Sequence, residues 1–304
     1  MKRPLELMSA KGPREHRENN RIMVIRPDAV FYLGLLGKTS RRSLGSLTVY
    51  LAVGEPFRFR ADDGQWEERE SAVVAPYLEH QIVACDRVGV LLIEPEFVDM
   101  KSVIGMSADS DPCADLAEII DGMTELTLDL GDRAHEPGEG SIAEYMDVAL
   151  RAQFLHRGLD SRIGHVVAMI RDQPWERFSA QSCAAISGIS VSRFLHLFKS
   201  EIGTTFRRFI AWKRVRCALE YVKHQSNLTD IALELGYPDS THFSHSIRKA
   251  YGFSPRTMFY ASRYLSLSLE SGHLGSGTVS TGRPGHAVVW DRPAREMSWV
   301  GRQG

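Results

Sequence analysis

One plan of two short helices occurs twice in the second half of this chain. The first copy, residues 183–203, reads CAAISGISVSRFLHLFKSEIG, and the second, residues 231–252, reads IALELGYPDSTHFSHSIRKAYG. Each copy begins with Ala-x-x-x-Gly, in which the small alanine permits close helix crossing and the glycine suits the left-handed residue that ends a helix. A short turn and an amphipathic helix follow. Each copy therefore predicts a helix-turn-helix unit, whose second helix can enter a major groove of DNA.

The second helices of the two units have matching faces, offset by 49 residues. At about 100° per residue, one stripe of each helix is predicted to face the core. These stripes are Phe194, Leu197, Phe198 and Ile202 in the first unit, and Phe243, Ser246, Ile247 and Tyr251 in the second. The opposite faces carry Ser192, His196 and Lys199, and Thr241, His245 and Arg248.

The polar faces are suited to nucleic acid. Short hydroxyl and imidazole side chains can read base edges, whereas Lys and Arg hold phosphates. No acidic residue lies within 192–199 or 240–249, where a carboxylate would repel DNA. We therefore predict that these two helices read adjacent major grooves, which lie about 34 Å apart in B-DNA.

A longer helix is predicted between the two units, from a Thr cap through TTFRRFIAWKRVRCALEYVKH. Its apolar side can join both units and fix their spacing. Its basic side is predicted to contact phosphates through Arg207, Arg208, Lys213 and Arg214.

The charge distribution separates the chain into an acidic and a basic part. Residues 160–263 contain 15 basic and 8 acidic residues, a net charge of +7, whereas residues 1–159 contain 18 and 27, a net charge of −9. Only the second part is therefore expected to meet a polyanion. The four cysteines form no C-x-x-C pair and no apolar run is long enough to span a bilayer, so we expect a reduced, cytoplasmic chain without membrane contact.

The first half reads differently from the second. Residues 21–96 contain short β-like runs separated by turns, such as RIMVI, LTVYLAV, FRFRA and VGVLLIEP, which predict a small sandwich or barrel. Helical patterns follow at DLAEIIDGMTELTLDL and SIAEYMDVALRAQF. We predict a disordered amino terminus at 1–20, a sensor or dimerisation domain at 21–154, a linker at 155–161, a helical DNA-binding domain at 162–263 and a flexible tail at 264–304.

The helical part resembles the DNA-binding domain of AraC/XylS-type transcription regulators over about residues 160–263. LTDIALELGYPDSTHFSHSIRKAYGFSPRTM carries the most specific part of the match, with Gly236, Phe243, Gly252 and Pro255 at family positions. The resemblance implies that Arg193, Ser240 and Ser244 also face DNA. His196 and His245 stand where the family often has Arg, and a His offers no bidentate fork to guanine.

The resemblance further implies that residues 21–96 form a cupin-like β-barrel that binds a small effector, dimerises, or does both. The expected protein is thus β then α: a cupin-like barrel with following helices, then an all-α domain with two helix-turn-helix units joined by a long helix. Its expected function is sequence-specific regulation of transcription, with activation favoured by family habit. Expected partners are double-stranded DNA, an unknown effector, a second copy in a homodimer, and RNA polymerase as a further candidate.

Two other functions are compatible with parts of the sequence. A cupin-type enzyme or small-molecule-binding protein with an accessory helical domain would need convergent metal ligands, but GKTSRRSLGSLTVYLAVGEPF contains no His and His80 is isolated. A protein-interaction adaptor would explain a basic patch but not two matched faces. We therefore expect no catalytic residues, no metal and no cofactor.

Overall fold

The computed structural model describes residues 21–36, 40–98, 121–124, 127, 158–222, 227–261 and 265–269. A β-rich region comes first and a helical region follows, in agreement with the sequence. Residues 121–124 are helical, as predicted from DLAEIIDGMTELTLDL, whereas most of the remaining predicted helical segment before the linker lies outside the described residues. The amino terminus at 1–20 and most of the predicted tail also lie outside them.

The described strands form two antiparallel-rich sheets. One has six strands in the order β6-β3-β8-β2-β1-β9, and the other has three in the order β5-β4-β7. An isolated bridge between Arg42 and His80 links the segment before β3 to β7. The strands are β1 Arg21–Ile25, β2 Ala29–Gly34, β3 Leu47–Val53, β4 Phe57–Ala61, β5 Glu67–Arg69, β6 Ser71–Val74, β7 His80–Val83, β8 Arg87–Ile93 and β9 Leu265–Leu269.

The predicted barrel is not closed within the described residues, because the strands remain in two separate sheets. Strands β3 and β8 each pair with a strand on both sides in the larger sheet and are buried along most of their length, which suits their β-branched and aliphatic residues. A short 3-10 turn, Pro95–Phe97, follows β8 and carries the buried side chain of Glu96.

Strand β9 corrects one sequence prediction. The segment from residue 264 was expected to be a flexible tail because it is rich in Gly and Ser. Residues Leu265–Leu269 instead pair in parallel with β1, from Arg21 opposite Leu265 to Ile25 opposite Leu269. The chain thus returns to the first sheet after the helical region.

Seven α-helices lie within the described residues 158–261, between β8 and β9. Asp160 and Thr205 are N-caps, and each side chain accepts a hydrogen bond from a backbone N–H of the first turn. Of these two, the sequence predicted the Thr cap that begins TTFRRFIAWKRVRCALEYVKH. Ser161, placed in the linker by sequence, begins α1. The helices are α1 Ser161–Asp172, α2 Ala180–Ile186, α3 Val191–Ile202, α4 Phe206–Cys217, α5 Leu228–Glu234, α6 Ser240–Tyr251 and α7 Pro255–Ala261.

The helical region is divided between two cores. The first unit has its own, in which Phe194 and Phe198 of α3 pack edge to face against Phe206, together with buried residues of α1 and α2. The second unit shares a core with the sheets, since Phe243 and Ile247 of α6 belong to the same apolar cluster as strand residues. The helical region is therefore packed onto the β-rich region through α4 and the second unit.

Candidate nucleic-acid interface

Each copy of the repeat folds into a pair of helices, α2 with α3 and α5 with α6. The turns use glycines at equivalent places, Gly188 with φ of 65° and Gly236 with φ of 75°. The second helices end at Gly203 and Gly252, both with φ of 78°. This left-handed backbone is the reason for glycine at these positions. The duplication predicted from sequence is therefore present in the backbone conformation.

The predicted core stripes are turned inward. Phe194, Phe198 and Ile202 in α3 are buried, as are Phe243, Ile247 and Tyr251 in α6, whereas Leu197 and Ser246 are half-buried. Cys183 and Cys217 are also buried, as the sequence predicted. Packing of the apolar stripes leaves the polar face of each helix outward.

The residues predicted to read DNA lie on those outward faces. The predicted reading residues of α3 are all exposed, and of those on α6 only Ser240 and Ser244 are half-buried while the others are exposed. The exposed residues are Ser192, Arg193, His196 and Lys199 on α3, and Thr241, His245 and Arg248 on α6.

The start of α6 has a hydrogen-bonded pair of side chains, Asp239 and His242, that the sequence did not predict. Asp239 caps the helix by accepting hydrogen bonds from the backbone N–H groups of Thr241 and His242, at 2.8 and 2.9 Å. The imidazole Nδ1 of His242 also lies 2.9 Å from a carboxylate oxygen of Asp239. These hydrogen bonds lower the pKa of Asp239 below its usual value. His242 is thus exposed but already hydrogen-bonded to Asp239, beside the predicted reading face.

Lys213 was predicted to contact phosphate, and the structure shows that this prediction is wrong. Its ammonium is buried against the β-rich region, 2.6 Å from a carboxylate oxygen of Glu96 and close to Glu94. The next turn adds Arg216, whose Nε lies 3.0 Å from the other oxygen of Glu94. Trp212 completes the set by donating its indole N–H to Glu94 at 3.0 Å. The middle of α4 therefore faces protein.

The other predicted phosphate contacts are placed differently. Arg207 is exposed near the start of α4, and Arg208 is exposed with its guanidinium 5.3 Å from the ring centroid of Tyr77. Arg214 is half-buried and donates to the backbone carbonyls of Pro174 and Glu176, at 3.2 and 2.9 Å. Only Arg207 and Arg208 are thus presented to solvent, and Arg214 instead ties α4 to the loop between α1 and α2.

The segment 40–43 of the β-rich region holds the end of α6. The backbone N–H of Ser43 lies 3.0 Å from the carbonyl of Lys249 and 3.2 Å from that of Ala250. The hydroxyl of Ser40 donates to the carbonyl of Gly252. A Cβ atom on Gly252 would lie 2.6 Å from that hydroxyl, so this glycine also permits the close approach. Nothing in the local sequence pattern indicates this contact.

Comparison with known proteins assigns the helical region. Residues 183–260 match the family described as "Helix-turn-helix domain". The chain is 32% identical over 113 residues to the transcriptional activator RhaS of Escherichia fergusonii, covering 36% of this chain and 41% of RhaS. It is 27% identical over 97 residues to the transcriptional regulator MtrA of Neisseria gonorrhoeae, covering 32% of each. The chain thus spans less than half the length of these relatives.

The fold extends the likeness beyond the helical region. The structure of apo ToxT from Vibrio cholerae superposes with a TM-score of 0.53 at 10% identity, covering 77% of this chain and 97% of ToxT. No described helix has both the length and the apolar character that crossing a membrane requires. The repeated helix pairs, their outward polar faces and the sequence matches together show that residues 183–260 form a helix-turn-helix domain similar to those of the regulators above.

Proposed function

We propose that the chain is a sequence-specific DNA-binding regulator of transcription. The observation that supports this most directly is the pair of matched, exposed faces on α3 and α6, which contain no carboxylate. The proposed reading residues are Ser192, Arg193, His196 and Lys199, and Ser240, Thr241, Ser244, His245 and Arg248. Arg207 and Arg208 are the proposed phosphate contacts.

The β-rich region is proposed to regulate the reading helices. Its residues contact α4 through the buried charges at Glu94 and Glu96, and they contact the end of α6 through segment 40–43. A change in the β-rich region is thereby transmitted to the part of the chain that meets DNA. The proposed role of this region, with a cupin-like fold, is to bind an effector, to form a homodimer, or both. Activation through RNA polymerase in the cytoplasm belongs to the same proposal.

The test is DNA binding by the purified full chain. Fragments selected from genomic DNA by the protein are labelled, and affinity is measured by fluorescence anisotropy from 50 to 300 mM salt. Because each contacted phosphate releases counterions, log K should fall linearly with log salt, with a slope of about −0.9 per contact. Arg207→Gln should reduce the magnitude of that slope by about one without changing the selected sequence. Failure to enrich any sequence over random DNA contradicts the proposal.

The alternative, a cupin-type enzyme or small-molecule-binding protein with an accessory helical domain, has less support. Both relatives above are described as transcription regulators. Among the described residues, no three His, Cys, Asp or Glu side chains are grouped so as to hold a metal ion. Metal analysis of the purified chain separates the two proposals, because the metal-enzyme version requires a stoichiometric ion.

A further inference from the structure

One apolar side chain lies on the outward side of α3, the first of the two reading helices. Leu195 is 40% exposed, and it is one of three large apolar side chains that are exposed among the described residues, with Ile186 and Leu233. Ile186 is on α2 and Leu233 is on α5, so of the three only Leu195 belongs to a helix proposed to enter a groove. A single exposed leucine is ordinary elsewhere on a protein surface, but its place on this helix calls for a physical reason.

Helical geometry makes Leu195 part of the reading face. At about 100° per residue, it lies about 60° around the helix from Ser192 and about 40° from Lys199. Ser192 is one turn before Leu195 and Lys199 is one turn after it, and all three side chains are exposed. These residues therefore occupy successive turns of one surface, on which an apolar group lies between two polar ones.

Packing within the first unit does not account for this leucine. The apolar cluster of that unit includes the buried rings of Phe194 and Phe198, and the half-buried Val191 and Leu197 pack against it. Leu195 lies among these residues in the sequence, but it is not part of the cluster that the described residues form. Its hydrocarbon surface is left in water, whereas apolar surface is stabilised when it leaves water. A partner outside the chain would provide that burial.

The second reading helix does not repeat this residue. The offset of 49 residues that superimposes the two reading faces places Ser244 where the first unit has Leu195. Ser244 is half-buried and offers a hydroxyl group, whereas Leu195 offers only hydrocarbon. The two helices thus present different chemistry at an equivalent place, and we expect the base edges beneath them to differ in the same way.

We infer that Leu195 determines part of the DNA specificity by contacting the C5-methyl group of a thymine in the groove that α3 reads. In the major groove, the thymine methyl is the apolar feature that distinguishes one base pair from another, because the other distinguishing groups are hydrogen-bond donors and acceptors. Contact between this methyl group and the leucine removes apolar surface of both from water. The inference rests on the proposed function and names one base in the half of the DNA site that the first unit reads.

The test replaces thymine by deoxyuridine, which lacks only the C5-methyl group. Each thymine of the duplex selected by the full chain is replaced in turn, and affinity is measured by fluorescence anisotropy. At the contacted position the parent should bind about fourfold more weakly, since burial of one methyl-sized group contributes about 0.8 kcal/mol. Leu195→Ser should bind the thymine and deoxyuridine duplexes equally, whereas Leu195→Met should retain the preference for thymine.

The matched control is Leu233→Ser, which makes the same change at another exposed leucine. Leu233 is 56% exposed and lies on α5, outside the two reading helices. This variant should distinguish thymine from deoxyuridine as the parent does. The two serine variants should also unfold at similar urea concentrations, because each loses an exposed leucine from a helix. A Leu195→Ser chain that is clearly less stable than Leu233→Ser would show that Leu195 packs within the protein, which overturns the inference.

The outcomes separate this inference from the proposed function. If the parent prefers its selected duplex over random DNA but no thymine replacement weakens its binding, the inference is overturned and the proposed function stands. A thymine effect of the same size in Leu195→Ser and in the parent also overturns the inference, because the methyl group would then act through another side chain or through the shape of the DNA. If the parent prefers no sequence over random DNA, the proposed function is overturned and the inference falls with it.

Discussion

Arg216 and Glu94 form a buried ion pair across 122 residues of sequence, with Nε of the arginine 3.0 Å from Oε1 of the carboxylate. Burial alone would raise the pKa of Glu94, but the positive charges of Lys213 and Arg216 outweigh it and hold that pKa below its usual value. Burial raises the pKa of Glu96, and Lys213 offsets this only in part. The helical and β-rich regions are therefore held together by charges that have little contact with water.

Lys213→Met should destabilise the chain strongly. The substitution leaves Glu94 and Glu96 buried with one fewer positive partner, and breaking a buried pair in this way costs about 3–5 kcal/mol. Urea unfolding followed by tryptophan fluorescence at pH 7 measures the loss. Arg207→Gln on the same helix is the control, because its side chain is exposed and a surface change of this kind costs within about 0.5 kcal/mol. Similar losses of unfolding free energy in the two variants would contradict the burial of Lys213 with Glu94 and Glu96.

The buried imidazole of His80 should make stability depend on pH. Burial lowers its pKa from 6.5 to about 4 in the folded chain. Between these values the unfolded chain binds more protons, so stability is lost as the pH falls from about 6.5 through 4, by roughly 3 kcal/mol.

The measurement compares the parent with His80→Phe by urea unfolding between pH 7 and pH 4. The variant lacks this titration, so the stability difference between the two proteins should shrink by about 3 kcal/mol on acidification. His165→Gln is the control, since His165 is exposed on α1 and a surface substitution of this kind changes stability by no more than about 0.5 kcal/mol. A constant difference between parent and His80→Phe would show that this ring is hydrated in the folded protein.

Equivalent glycines of the two helix pairs should tolerate alanine differently. Both Gly188 and Gly236 have left-handed backbones, so either substitution adds strain of about 1–2 kcal/mol. A Cβ atom on Gly236 would also lie 2.5 Å from the carbonyl oxygen of Trp175, whereas one on Gly188 would meet nothing within 4 Å. Gly236→Ala should therefore reduce the free energy of unfolding clearly more than Gly188→Ala does. Equal losses of unfolding free energy in the two variants would mean that the loop at Trp175 moves to accommodate the added Cβ atom without a cost in stability.

Sequence discrimination should depend on two histidines. His196→Ala combined with His245→Ala should reduce the preference for selected over random DNA by about 1–3 kcal/mol per lost base contact, with little change in affinity for random DNA. Fluorescence anisotropy, with selected and random DNA as competitors, measures this preference. His242→Ala is the matched control, because His242 is exposed on α6 but paired with Asp239 outside the proposed reading face. A double variant that discriminates as well as the parent would show that these faces do not read bases.

The sequence predicted the helical region well because helix caps, turns and buried stripes are determined by residues close together in the chain. The Thr cap at Thr205 and the left-handed glycines Gly188 and Gly236 follow from short-range rules, and the structure confirms them. A period of 3.6 also predicted the buried stripes, with Phe194 and Phe243 as examples.

What the sequence did not predict depends on distant partners. Lys213 was interpreted as a phosphate contact because helical periodicity places it off the apolar stripe of its helix. Periodicity does not show whether another region of the protein covers that side of the helix. The carboxylate partners of Lys213 lie 117 and 119 residues away. The burial of Arg42, within the polar run SRRS, was missed for the same reason. Strand β9 did have a signal, since LSLSL alternates with the period of a strand, but the glycine-rich residues beyond it dominated the interpretation.

The parallel pairing of β9 with β1 has a practical consequence for dividing this protein. Because the helices are inserted, along the chain, between strands of one sheet, a single cut near residue 158 cannot release them as an independent piece. A fragment that stops before Leu265 would strip a neighbour from β1 and leave its backbone N–H and C=O groups open to intermolecular pairing. The helical and β-rich regions thus belong to one folding unit, and a chain shortened before Leu265 exposes an unpaired strand edge that favours aggregation.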